Sequence, residues 1–577
     1  MARFSSSGSF TVFSFFVAMY GASRQFIWSG MGTPLFRCQH ASATSLVSQP
    51  FHPKTISTNS MLHRKQASST FGTNNLFAIR GGSSLSSSDT TSEDIAIKEE
   101  VAPKKIILRQ VQLVHRHGDR TPITPMANET FWKDTLPNTN ILQNIALGTY
   151  IKREEGSARA VHAAGGKGFF GQLTTLGLFQ MVDLGSKIRE ELLKEVPISI
   201  EGDKEVKENN KDESAISTPI EIIKQMGCMY QIISNHLFTP EVPLTTETIS
   251  VCSTDFPRTI QSVQGFLIGL FPDGIPSQST TYKENDPIHD RIENIIKIDA
   301  RYTSTMIPDP QPRRSKEQVE LEKKLSNRLY ILKKEDEMKD FGIRLTQILL
   351  KENILGDGYQ DVTFGVGEEK EENEMEEFTS TTVTRPLPWS QLSEILKCLA
   401  IRELLPSSIS TDDQHLVTSH AAWKWFENLR HPRLAYLSMQ PMMKRMVENI
   451  EEEINSDGNI RLHIFSAHDS TLIGLLSAFR LEQPSEWPEY GSYLKLELYE
   501  VLDDDKTDSM EEDEQSLNEE RFCKYMVRFS LNSRTLRCFW DVKEGADPLE
   551  LLPFDRLIDL LQADGIDKVE DNGGTIA

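Results

Sequence analysis

Three segments of the chain share one pattern, in which a short apolar run is followed by polar residues and then by apolar residues at helical spacing. The apolar runs cover residues 106–114, 249–252 and 460–465. Runs of this length that are rich in β-branched residues predict strands, and the spacing that follows predicts amphipathic helices. Pro257 suits the first turn of the second helix, where no amide donor is needed.

The long segments between these units have mainly helical spacing. Residues 172–193 are an example, with Leu176, Leu178, Met181 and Leu184 on one side. Strands that alternate with helices are typical of a sheet covered by helices on both faces. We therefore predict an α/β fold with a central, mostly parallel sheet flanked by helices and a helical cap over a pocket.

Length, composition and charge exclude one class of function and indicate where the domain contains loop insertions. The chain has 577 residues, of which 38% are hydrophobic and 25% charged, and its net charge is −22. That charge argues against a general nucleic-acid binder. Acidic runs near 201–215, 366–378 and 503–520 have no apolar period, so we interpret them as solvated loop insertions in a domain over 101–565.

The amino-terminal region has a different composition. Before Asp89 it contains seven Lys or Arg residues and no Asp or Glu. Residues 1–23 resemble a signal peptide, because the apolar stretch at 10–22 is too short to span a membrane comfortably. Residues 24–100 are typical of a transit-like segment or a disordered linker. We expect the secretory pathway or an organelle reached through it, such as a plastid, with a mitochondrion as the alternative, and no transmembrane helix in the mature chain.

The cysteines favour neither a metal centre nor a disulfide scaffold. Of the six, Cys38 falls in the targeting region, and the other five are widely spread without C-x-x-C spacing. We expect no metal and no cofactor.

The strongest chemical signal is the run Arg116-His117-Gly118-Asp119-Arg120-Thr121-Pro122, directly after the first predicted strand. A histidine between two guanidinium groups is a poor proton carrier but a good candidate for attacking an anionic group. Arginine matches phosphate oxygens as a bidentate fork, so phosphate is the expected target. Ligands of open α/β sheets bind beyond the carboxyl ends of the strands. The ends of the other two strands would add Arg258 and the pair His468-Asp469.

If the three strand ends converge, each group has a role. His117 would attack phosphorus and form a phosphohistidine. Asp469, at a predicted helix start, would protonate the leaving oxygen and then deprotonate water. The expected ligands of the phosphate are Arg116, Arg120, Arg258 and His468. Taken singly, a His-Asp pair before a helix is usually a cap and a lone arginine usually lies on the surface, so the three segments gain weight only together.

Five stretches resemble the histidine acid phosphatases, in that family's order along the chain. They are Arg116-His117-Gly118-x-Arg120-Thr121-Pro122, Gly171-Gln172-Leu173-Thr174-x-x-Gly177-x-x-Gln180, Ser253-Thr254-Asp255-x-x-Arg258-Thr259, Ser466-Ala467-His468-Asp469-Ser470-Thr471-Leu472 and Trp487-Pro488-x-Tyr490. The resemblance implies His117 as nucleophile, Asp469 as proton donor and the other four residues as phosphate ligands. It also implies an α/β domain with a helical cap.

The resemblance fails at one place and indicates a subgroup of the family at another. The family often ends with a cysteine pair, whereas here Cys538 is present and its later partner is replaced around 551–554. Gly165-Gly166 ahead of Gly171 resembles the lysophosphatidic acid phosphatase subgroup, which would imply a lipid phosphomonoester.

The leading hypothesis is metal-independent hydrolysis of a small-molecule or lipid phosphomonoester, of the acid phosphatase type. Phytate and sugar phosphates stay open as substrates, because specificity depends on the cap. The alternatives are a phosphotransferase or mutase of the histidine phosphatase group and a non-catalytic phosphate-binding scaffold.

Overall fold

The computed structural model of the protein describes residues 103–153, 168–193, 222–225, 228–274, 295–301, 314–356, 385–456, 458–502, 524–539 and 548–562. The segments predicted to be signal-like and transit-like, and the three acidic insertions, lie outside these residues. Within the described part of the chain, no helix combines the length and apolar character that crossing a bilayer requires.

The described residues form one sheet of 11 strands. In chain order the strands are β1 (Lys104–Arg116), β2 (Thr149–Arg153), β3 (Ile222–Gln225), β4 (Cys228–Ser234), β5 (Ile249–Thr254), β6 (Ile296–Arg301), β7 (Leu462–Ala467), β8 (Tyr493–Leu502), β9 (Tyr525–Leu531), β10 (Arg534–Leu536) and β11 (Leu551–Pro553). The main order is β10-β9-β8-β1-β7-β5-β6-β2. Outside this order, β4 pairs with β1, β3 pairs with β4, and β11 pairs with β9.

The five strands β1, β7, β5, β6 and β2 are parallel neighbours, whereas β8 joins β1 antiparallel and β9 joins β8 antiparallel. In β1 burial alternates over the first residues and then becomes continuous from Gln110 onward. Continuous burial is typical of a central strand that is covered on both faces. The parallel half of the sheet therefore aligns the carboxyl ends of β1, β7 and β5 at one edge.

Helices connect and cover the strands. In chain order they are α1 (Glu129–Asp134), α2 (Thr139–Ala146), α3 (Thr175–Leu192), α4 (Pro257–Leu270), α5 (Lys316–Ser326), α6 (Leu329–Lys351), α7 (Trp389–Ala400), α8 (Thr411–Leu429), α9 (Pro432–Ser456), α10 (Asp469–Ala478) and α11 (Phe554–Gln562).

The two largest hydrophobic cores among the described residues lie on the two faces of the sheet. One joins β1, β5 and β7 to α3 and α4, through residues such as Met181 and Phe266. The other joins the sheet to α9 and α10 and continues into α6, α7 and α8. The helices α5 to α8, which lie between β6 and β7 in the chain, form the helical region named here the cap.

The predicted α/β architecture is confirmed: a mixed, mostly parallel sheet is flanked by helices. All three predicted strands are present, and each ends two residues later than predicted because strand pairing continues past the apolar run; β1, for example, extends to Arg116. The helix predicted over 172–193 begins at Thr175, where the Thr174 side chain accepts a hydrogen bond from the Gly177 N–H (3.0 Å). Pro257 occupies the first turn of α4.

Candidate active site

The ends of three neighbouring parallel strands bring the predicted residues to one place. Arg116 at the end of β1 lies opposite Ala467 at the end of β7. Ser466 of β7 in turn lies opposite Ser253 of β5. The residues that follow these ends, His117, His468 and the start of α4, therefore share one edge of the sheet.

The structure defines which nitrogen of His117 can react. The side chain is buried, and Nδ1 lies 2.8 Å from the Gly118 carbonyl oxygen. A carbonyl oxygen only accepts, so Nδ1 carries the hydrogen and Nε2 of the neutral ring carries the lone pair. Burial, followed by the positive charges of Arg258, Arg116 and Arg120, lowers the pKa of His117 well below its ordinary value of 6.5. Both effects favour the neutral imidazole.

Arg116 links the nucleophile loop to Asp469. Its Nη2 lies 2.7 Å from Asp469 Oδ2, its Nη1 donates to the Pro488 carbonyl (2.5 Å), and its guanidinium lies 4.1 Å from the Tyr490 ring centroid. Burial alone would raise the pKa of the Asp469 carboxyl. The Arg116 charge and the Trp487 N–H outweigh burial and lower that pKa below its ordinary value of 3.8.

Arg120 is held by a glutamate of the cap. Its Nη1 donates to Glu394 Oε1 (2.7 Å) and to the Thr121 carbonyl (3.1 Å). Glu394 also accepts from the Ile123 N–H and from the Thr124 hydroxyl. One carboxylate from α7 therefore binds both the arginine and the backbone that follows it.

Arg258 and His468 share a hydrophobic neighbour. The Arg258 guanidinium lies 4.7 Å from the Phe256 ring centroid, and the His468 ring packs edge-on against Phe256 at 5.0 Å. The His468 ring is also 5.6 Å from the His117 ring, and its Nε2 lies 3.0 Å from the Thr254 hydroxyl. Burial and then the Arg258 charge lower the pKa of His468 well below 6.5.

These groups form a cradle that suits an anion with several oxygens. The Arg116 and Arg120 guanidinium groups are buried, and neither Nε has a hydrogen-bond partner among the described residues. Buried charged donors without partners are unfavourable unless an anion accepts from them. All six residues predicted from the sequence lie in this region, and phosphate fits its donor set.

The loop has supports that sequence reasoning missed. Asp119 is fully buried; it pairs with Arg402 Nη2 at 2.6 Å and accepts from the Thr174 hydroxyl at 2.6 Å. Arg402 follows α7 and lies 5.0 Å from the Trp132 ring centroid. No local pattern marks Arg402 or Glu394 as partners of residues about 280 positions away. Trp487 and Tyr490 belong to a stretch that the sequence did single out.

Gly118 has no room for a side chain. A Cβ on Gly118 would lie 2.2 Å from the Gly177 carbonyl oxygen, which is backbone at the start of α3. We expect Gly118→Ala to shift the His117 loop, lower kcat/KM at least tenfold and destabilise the fold by about 1–3 kcal/mol. Thermal melting and hydrolysis of p-nitrophenyl phosphate measure both effects.

Gly356→Ala is the matched control, because its Cβ would lie 3.4 Å from the nearest atom, the Pro125 carbonyl oxygen. It should behave like the wild type. A Gly118→Ala variant with unchanged Tm and kcat/KM would contradict the close approach.

Comparisons with known proteins agree with this geometry. The sequence profile of the histidine phosphatase superfamily (branch 2) matches residues 107–198 and 220–532. Counting factor 60 of Dictyostelium discoideum is 27% identical over 406 residues, covering 68% of this chain and 77% of that protein. Lysophosphatidic acid phosphatase type 6 of Bos taurus is 33% identical over 100 residues, covering 16% and 23%.

Two phytases are among the solved structures that align with the chain. A phytase from Citrobacter braakii is 15% identical and covers 80% of this chain and 98% of its own, with a TM-score of 0.42. A Hafnia alvei phytase in complex with myo-inositol hexakis sulphate is 12% identical and covers 80% of this chain and 98% of its own, with a TM-score of 0.44. The profile match extends over most of the chain and includes every predicted site residue. The chain belongs to the histidine phosphatase superfamily, branch 2.

Proposed function

We propose that this phosphatase hydrolyses phosphate monoesters through a phosphohistidine on His117, without a metal ion. Membership of the family indicates a phosphatase acting on a phosphoester. The observation that supports the finer proposal is the hydrogen bond that fixes the tautomer of the His117 ring. Its Nδ1 is hydrogen-bonded to Gly118, and its Nε2 is the nucleophilic nitrogen beside buried arginines. The guanidinium groups supply the positive charge that a metal would otherwise provide.

In the first step His117 Nε2 bonds to phosphorus while the bond from phosphorus to the ester oxygen breaks. The bond pair goes to the leaving oxygen, which takes a proton from Asp469. In the free enzyme Asp469 is a carboxylate paired with Arg116. Phosphate oxygens that bind Arg116 offset its charge, so the pKa of Asp469 rises in the substrate complex and the carboxylate takes up a proton from solvent or from the substrate monoanion before the ester bond breaks.

In the second step Asp469, again a carboxylate, takes a proton from water. The water oxygen bonds to phosphorus, and the bond from phosphorus to Nε2 breaks, which returns the pair to His117. The products are an alcohol and inorganic phosphate. Arg116, Arg120, Arg258 and His468 stabilise the charged phosphoryl oxygens in both steps.

The test is to trap the intermediate. Full-length enzyme mixed with excess p-nitrophenyl phosphate and quenched in alkali should yield one phosphorylated peptide, which contains His117, and an initial burst of nitrophenol. Turnover should be unchanged in chelator. Steady hydrolysis without a burst or a phosphopeptide would indicate direct attack by water and overturn the covalent route.

The pH dependence of the first step follows from the lowered pKa of His117. A histidine with a pKa of 6.5 would be about tenfold less available as a nucleophile at pH 5.5. Because the pKa of His117 lies well below 6.5, its neutral form persists as pH falls. We expect kcat/KM, which reports ionisation of the free enzyme, to stay level from pH 7 to about 5, after correction for titration of the substrate. A tenfold fall over that range would contradict a neutral nucleophile.

For the substrate we propose a lysophospholipid phosphate. Support comes from the 100-residue match to the bovine lysophosphatidic acid phosphatase. We expect kcat/KM to fall in the order oleoyl lysophosphatidic acid, glycerol 3-phosphate, phytate. Glycerol 3-phosphate is the matched control without the acyl chain, and a preference for phytate would reject the proposal.

Two other outcomes separate the alternatives. Transfer of phosphate to an added alcohol or sugar phosphate in preference to water would indicate a phosphotransferase or mutase. Tight phosphate binding without any turnover would indicate a scaffold.

A further inference from the structure

The segment from Trp487 to Tyr490, between α10 and β8, contacts both the proposed proton donor and an arginine beside the proposed nucleophile. The Trp487 indole N–H donates to Asp469 Oδ2 at 2.8 Å. The same oxygen pairs with Arg116 at 2.7 Å, and the Pro488 carbonyl accepts from the other terminal nitrogen of Arg116. One short segment thus touches the proton donor and an arginine next to the nucleophile.

The indole limits how Asp469 can turn. The Asp469 side chain is 15% exposed, and its Oδ1 accepts from the Ser470 N–H at 2.8 Å. Without the indole, the partners of the carboxylate among the described residues would be Ser470 and Arg116. The carboxylate could then rotate into a two-pronged pair with the guanidinium, which is the geometry such pairs favour. The Trp487 N–H occupies one side of Oδ2 and disfavours that rotation.

Trp487 is itself held by the cap. Its side chain is buried and packs edge-on against Trp425 of α8, with ring centroids 5.5 Å apart. Its carbonyl oxygen accepts from Lys397 Nζ of α7 at 3.3 Å, and Lys397 also pairs with Glu489 at 2.7 Å. Both helices therefore fix the indole that reaches Asp469.

We propose that Trp487 is a positioning residue, which aims the Asp469 carboxyl at the leaving oxygen and makes proton delivery depend on the packing of the cap. This inference rests on the proposed function. Loss of this positioning should slow substrates according to how much their leaving group needs a proton. Protonation matters greatly for an alkoxide leaving group and little for p-nitrophenolate.

The test compares two substrates on one preparation of full-length enzyme. Trp487→Phe keeps an aromatic ring and removes the N–H. We expect it to lower kcat/KM for glycerol 3-phosphate about tenfold more than for p-nitrophenyl phosphate. The ratio of the two values is unaffected by the fraction of enzyme that is folded. Trp425→Phe keeps a ring against the indole and leaves its N–H in place, so the ratio should stay at the wild-type value. Trp425→Ala removes that support and should shift the ratio in the same direction as Trp487→Phe.

Two further variants show whether the effect passes through Asp469. In an Asp469→Asn background, Trp487→Phe should cause no additional change in the ratio, as a double-mutant cycle requires for coupled residues. Trp487→His, which restores a ring N–H, should recover part of the ratio. Equal losses on both substrates in Trp487→Phe would reduce Trp487 to a packing role and overturn the inference. Failure of the proposed function would look different, since the wild type would then show no phosphohistidine or no turnover.

Discussion

Replacing His117 with alanine is expected to lower kcat for p-nitrophenyl phosphate by about ten-thousand-fold or more. The residue supplies the attacking Nε2, and loss of a covalent nucleophile removes the whole two-step route. Binding of inorganic phosphate should persist within a fewfold, because Arg116, Arg120 and Arg258 stay in place. Initial rates and a phosphate titration measure the two effects separately.

His415→Ala is the control for the loss of a histidine. His415 lies on α8, its side chain is 59% exposed, and its neighbour is Glu486 at 3.4 Å. This variant should match the wild type. If His117→Ala retained more than a few per cent of activity, another group would have to be the nucleophile.

Replacing Arg258 with alanine should lower kcat/KM by about a hundredfold to a thousandfold, the loss typical for removing one preorganised donor from a developing oxyanion. Arg258 is 2% exposed, stacks on Phe256 and donates to the Gly171 carbonyl at 3.4 Å. Arg258→Lys should recover only a small part, because an ammonium has the charge without the planar fork.

Arg430→Ala provides the comparison for losing a surface arginine, since Arg430 is 62% exposed and pairs with Glu427. It should change kcat/KM by less than twofold. Full activity of Arg258→Lys would mean that the site requires only a positive charge at this position and not the planar geometry of a guanidinium group.

The strand and helix units at the site were predictable because their signals are local. The apolar runs before Arg116, Pro257 and His468 specify strands that end where polar residues begin. Parallel pairing of β1, β7 and β5 then follows from the need to cover both faces with helices. The carboxyl ends of these strands lie two residues beyond the predicted ends, since pairing with a neighbour continues beyond the apolar run.

The supports of the site were not predictable by the same reasoning. Glu394 lies on α7, far along the chain from Arg120, and its neighbours in the sequence resemble those of any amphipathic helix. The pair of Arg402 with Asp119 is equally remote. Such contacts depend on how the cap packs on the sheet, and hydrophobic spacing carries no information about which polar residue will face which.

The sequence by itself determined the α/β class, the three strand and helix units and the identity of six chemically matched residues, because periodicity and residue type are properties of short segments. Only the tertiary structure decided which nitrogen of His117 has the lone pair, how Arg116 and Trp487 hold Asp469, and which cap residues secure the loop. Hydrogen bonds over 2.5–2.9 Å demand exact mutual placement of distant segments, and that placement arises only when the cores on both faces of the sheet are packed.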